Sequence, residues 1–143
     1  MATQVQGLSA AGGAVTGSVA MLLRLEGLVV AVASAVLYAR TGASWWLFAA
    51  LWLAPDLSML AYLKRPCLGA RYYNVAHTYL LPGVLALLGW LLHANALLPG
   101  ALIWVNHIGV DRLLGYGLKY SDGFGFTHLG VLGKRGVTSA VQN

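Results

Sequence analysis

Four apolar runs of about 20 residues, near 19–38, 44–63, 70–92 and 96–116, follow one another with short breaks; a helix of that length crosses a ~30 Å hydrocarbon core. This repeat constrains the chain more than any motif in it. Backbone in hydrocarbon must satisfy its own hydrogen bonds, so such runs are expected as helices. Composition agrees, with 59% hydrophobic and only 9% charged residues, whereas soluble domains carry about a quarter charged. The expected fold is an all-α integral membrane bundle of four transmembrane helices (19–116), after a flexible Gly/Ala/Ser leader (1–18) and before a Gly-rich cytoplasmic tail (117–143).

The net charge of +5 reads as basic loops on one membrane face, and no nucleic-acid partner is expected. Arg24, Lys64, Arg65, Arg71, Lys119, Lys134 and Arg135 fall on one side, against Arg40 on the other. The positive-inside bias then puts both termini in the cytoplasm, in a multi-pass protein of the inner (cytoplasmic) membrane. Trp45 and Trp46 would anchor the opposite interface. Cys67 is the sole cysteine, so no intrachain disulfide forms. The N-terminus lacks the basic region of a cleaved signal peptide.

Polar residues inside these spans are the functional signal. At 1.5 Å per residue, Asp56 lies about 18 Å below the outer surface, and His107 and Asp111 about 16 and 22 Å below it. His77 and Glu26 each lie about 10 Å above the inner surface. Four helices therefore send polar groups into one layer of the cytoplasmic half. His107 and Asp111, four apart, share a helical face, as do Asn74 and His77, three apart. His77, His107, Asp111 and Asp56 form a ligand set suited to a divalent metal such as Zn, Mn or Fe. In an enzyme built on them, Glu26 would be the general acid or base, and Arg24 or Arg112 would hold an anionic head group. In the competing reading, the acids pair with Arg24 or Arg112, and the histidines bond to Asn74, Asn106 or a carbonyl.

Other features are weaker. The glycines of "LGYGLKY" suggest a helix C-cap, with Lys119 as a loop charge. "GFGFTHLGVLGKRG" places His128 among Phe124, Phe126 and Leu129; it either folds back on the bundle mouth or, the preferred reading, lies at the interface with a solvated His128. Gly27, Gly83 and Gly89 are candidates for close helix approach.

Taken in order, "LRLEGL", "PDLSMLAYL", "YNVAHTYLLPG", "IWVNHIGVDRLLGYGLKY" and "THLG" resemble the bacterial membrane-protein family catalogued as domain of unknown function 4260, from Leu23 to Gly130. The resemblance implies a small multi-spanning protein with this polar set, and it brings no activity with it. A looser similarity links the Pro-Asp and Thr-His elements to membrane-bound metal-dependent hydrolases, although "PDLS" has no second acid and "THLG" no following Ser. The leading expectation is a metal-dependent enzyme acting on a lipid or amphiphile at the cytoplasmic leaflet. The alternatives are an accessory subunit that packs against other membrane subunits or a second copy of itself, and an ion or proton conductor.

Overall fold

The computed structural model describes residues 15–120 and 125–131. Most of the expected leader, Phe124, Lys134 and Arg135 lie outside them. The described chain is helical apart from a two-residue antiparallel hairpin. Helix α1 spans Gly17–Arg40, and α2 spans Trp45–Leu51. A 3-10 helix, Ala54–Leu63, follows, then α3 (Pro66–Ala76), α4 (Leu80–Leu91) and α5 (Leu97–Leu114). Strands β1 (Phe126–Thr127) and β2 (Gly130–Val131) close the described tail.

Three helical stretches, Gly17–Arg40, Trp45–Leu63 and Pro66–Leu91, are long and apolar enough to cross a membrane. Their outward surface is apolar, with Leu63, Trp46, Trp90 and Leu80 among the most exposed side chains. Surface of that kind suits lipid rather than water. The expected fourth span, α5, is not in this set. It carries Asn106, His107, Asp111 and Arg112, and it is the most buried helix, lying against α1, α4 and α2. The helix least like lipid is thus the one the others surround.

Two of the expected spans are broken, each beside a proline. Pro55 has no N–H to give the Leu51 carbonyl, and the chain tightens from α2 into the 3-10 helix there. Pro82 has the same effect on the Thr78 carbonyl, and α3 ends at Ala76, with α4 starting at Leu80. Helix α5 repairs the second break: Trp104 Nε1 donates to the Ala76 carbonyl (2.7 Å), and Arg112 Nη2 donates to the His77 carbonyl (3.1 Å). Neighbouring helices commonly supply such partners in a membrane.

Helix α1 packs on α5 through Gly27, Ala31, Ser34 and Tyr38, a stripe repeating every three or four residues. A Cβ at Gly27 would sit 2.7 Å from Arg112 Cβ and 2.8 Å from the Gly109 carbonyl oxygen; one at Gly109 would sit 2.8 Å from Ala31 N. Glycine is what lets these backbones touch. Asn106 bridges the same interface, donating to the Ala31 carbonyl (2.7 Å) and Ser34 Oγ (3.2 Å) and accepting from Trp52 Nε1 (2.9 Å). Of the other glycines expected at helix contacts, Gly89 approaches Leu97, whereas Gly83 faces open space.

Candidate metal centre

The two breaks and the continuous α5 meet at one point. Asp56 comes from the turn after Pro55, His77 from the end of α3, and His107 and Asp111 from successive turns of α5. One ligand atom from each of the four lies within 4.8 Å of all the others, and the group could hold a metal ion. His77 Nε2 is 3.2 Å from Asp56 Oδ1 and 3.4 Å from Asp111 Oδ2. His107 Nε2 is 3.5 Å from Asp56 Oδ1 and 3.7 Å from Asp111 Oδ2. The two Nε2 atoms are 3.2 Å apart. Four ligands held tetrahedrally at the bond lengths usual for zinc stand about 3.3 Å from one another. The five separations scatter around that value.

Proton accounting sharpens the point. His77 Nδ1 lies 2.9 Å from the Tyr73 carbonyl oxygen, which can only accept. That nitrogen therefore carries the proton, and the Nε2 lone pair faces Asp56, Asp111 and His107. With neutral imidazoles and ionised carboxylates, the two imidazoles bring at most one proton, on His107 Nε2, to the point where the four groups converge. A cation satisfies all four. The Tyr73 carbonyl then plays the orienting role seen behind metal-bound imidazoles. Tyr73 also stacks its ring on His77 at 3.7 Å and donates its hydroxyl to Asp111 Oδ2 at 3.3 Å. The Trp52 ring meets His107 edge-on at 5.0 Å, and His107 Nδ1 is buried without a hydrogen-bond partner among the described residues. Both imidazoles are buried, whereas the Asp56 side chain is 36% exposed, so the centre opens on the Asp56 side.

The tail returns to this site, which the sequence reading did not favour. Gly115, left-handed at φ 90°, ends α5, and Tyr116 N–H donates to the Asp111 carbonyl (2.8 Å). The Asn74 carboxamide then grips Lys119 on both sides: Oδ1 accepts from Lys119 N (2.7 Å), and Nδ2 donates to the Lys119 carbonyl (2.8 Å). His128 is not solvated as expected; its Nδ1 accepts from Leu118 N–H at 2.8 Å. Burial lowers its pKa, as does the Arg112 charge, against a raising hydrogen bond to Leu118. Lys119 is not a loop charge either. It is 5% exposed, with Nζ 4.4 Å from the Tyr73 ring centroid and 5.7 Å from that of Tyr62. No spacing rule marks it, because a tail contact with Asn74, 45 residues away, creates its environment.

The remaining candidates lie elsewhere. Glu26 is exposed and lines a separate cavity with Tyr79, Arg112 and His128. It sits one residue, about 100°, from the Gly27–Ala31–Ser34 stripe that meets α5. Arg112 is engaged by the His77 and Tyr116 carbonyls rather than by an acid. Arg24 is exposed, with its guanidinium against Gly115. The acids of the centre thus face histidines, and Arg112 serves backbone carbonyls.

No curated protein and no solved structure matches the chain. A match of residues 20–132 covers most of its length, and the chain belongs to the family described as Domain of unknown function (DUF4260).

Proposed function

We propose that this chain is a membrane-embedded, metal-dependent enzyme acting on a lipid or other amphiphile from the cytoplasmic leaflet of a bacterial inner membrane. The carrying observation is the convergence of two imidazole nitrogens and two carboxylate oxygens within 4.8 Å, five of their separations being 3.2–3.7 Å, with His77 already oriented by Tyr73. Asp56, His77, His107 and Asp111 would hold a divalent ion, Zn, Mn or Fe, for which imidazole and carboxylate are suitable donors. When bound, such an ion polarises a substrate oxygen or lowers the pKa of water. Trp52 and Tyr73 wall the imidazoles off, and the exposed Asp56 edge gives access. Glu26 lines a different cavity, with Tyr79, Arg112 and His128, and has no part in this reading.

The test is elemental analysis of detergent-purified protein. Wild type should carry about one divalent ion per chain, as expected for a single four-ligand site. His107→Ala and Asp111→Asn should lose it while keeping the monodisperse elution and helical circular dichroism of wild type. Wild-type protein without metal after growth in supplemented medium would end this reading.

A further inference from the structure

A cavity of about 400 Å³ is lined by chain neighbours of the candidate metal ligands. Pro55, Ala76, Leu85, Ile103 and Trp104 line it, so its walls are almost wholly apolar. Two of these residues directly precede proposed ligands in the chain: Pro55 before Asp56, and Ala76 before His77. Trp104 is fixed as a wall by its bond to the Ala76 carbonyl. The size falls in the range of small-molecule sites.

Ser58 is the exception among the lining residues. It stands three after Pro55, on the same face of the 3-10 helix, and it lines both this cavity and a second one bounded by Leu57, Leu60 and Lys64. Its Oγ is buried with no hydrogen-bond partner among the described residues. Hydroxyls on helices normally bond back to the preceding turn, and a buried one left unpaired is costly. An occupant with a hydrogen-bond acceptor at that depth relieves this, and an apolar chain matches everything else in the cavity.

We infer that the cavity binds an acyl chain of an ester-linked membrane lipid, with the Ser58 hydroxyl donating to the ester carbonyl beside the metal centre. This rests on the reading of the chain as a lipid-acting enzyme and supplies its substrate class. Ser58 is a positioning residue here, since it holds the ester without touching the metal ligands. The geometry also supplies a plug. Gly100 lines the cavity, and a Cβ added there meets nothing within 4 Å, so a larger side chain can enter without displacing the backbone.

The experiment uses full-length protein in micelles with phosphatidylglycerol carrying a diazirine on one acyl chain. Photolabelling is mapped to peptides and metal content is measured on the same samples. Wild type should be labelled in the segments around residues 51–58 and 100–104. Unlabelled ester lipid should compete roughly fivefold better than its ether-linked analogue, the worth of about one hydrogen bond. Ser58→Ala should abolish that preference. Gly100→Leu should cut labelling of these segments roughly tenfold, a loss of about 1.4 kcal/mol, with metal content unchanged. Equal labelling of Gly100→Leu and wild type would mean ordinary annular lipid and overturn the assignment, as would equal competition by ester and ether lipids in wild type. Loss of metal from wild type with labelling intact would instead remove the enzyme reading and leave the lipid site standing.

Discussion

At the scale of single residues, Lys119 shows how a polar side chain takes its properties from where the chain returns. Burial between Tyr62 and Tyr73 pushes its pKa down from the ordinary 10.5 to about 8, against the raising pull of Asp111 and Asp56. Between about pH 8 and 10.5 the unfolded chain then binds more protons than the folded one, so stability rises with pH across that window. Lys119→Met removes the titration. Thermal unfolding in detergent should therefore show wild type gaining on Lys119→Met from pH 8 upward, and parallel profiles would mean that Lys119 is not desolvated. The four residues of the candidate centre were legible without a structure. Ionisable residues are so costly in a span that Asp56, His77, His107 and Asp111 stood out. Glu26 stood out for the same reason and lies elsewhere, because depth says nothing about which way a side chain faces. The spacing Gly27, Ala31, Ser34 held that information, since small residues mark the packed side of α1.

At the scale of elements, the apolar runs located the helices but not their breaks. Pro55 and Pro82 were visible in the sequence, yet a proline in a span is tolerated in some contexts and disruptive in others. Which outcome holds depends on whether a neighbour can satisfy the freed carbonyls, and Trp104 and Arg112 do so for Ala76 and His77. The result is a site made from two helix ends against one continuous helix, a construction that membrane proteins use at midplane binding sites. The α1–α5 crossing fixes the continuous partner. Gly109→Ala forces a Cβ to within 2.8 Å of Ala31 N, so it should destabilise the fold by about 1–3 kcal/mol, the usual cost of overpacking. It should also weaken metal retention, because His107 and Asp111 flank that contact on α5. Gly83→Ala, with nothing within 4 Å, should be neutral or slightly stabilising through helix propensity. Denaturation of the two variants side by side checks the contrast, and equal effects would mean that the helices do not approach at Gly109.

At the scale of the whole molecule, the direction of insertion decides which leaflet reaches the opening at Asp56. Lys64, Arg65 and Arg71 cluster around the connection between the 3-10 helix and α3. The other end of the bundle, around 40–44 and 92–96, holds Arg40 alone among Lys and Arg. Positive charge near span ends is retained in the cytoplasm, so the Lys64–Arg71 end should face inward. In that orientation the candidate centre would lie in the inner half of the bilayer. The exposed, sole cysteine, Cys67, lies within this basic connection and reports on it directly. A membrane-impermeant maleimide should leave Cys67 unlabelled in intact cells and label it in inverted membrane vesicles, with Cys67→Ser as the blank. Labelling from outside intact cells would turn the bundle over and give the site to lipids of the outer leaflet. The distances among Asp56, His77, His107 and Asp111 would be untouched by that result, because they are set by helix breaks and packing, whereas orientation is set by charge outside the spans. The chain thus encodes the chemistry of the site and the side from which it is reached in different residues, and each can be altered without the other.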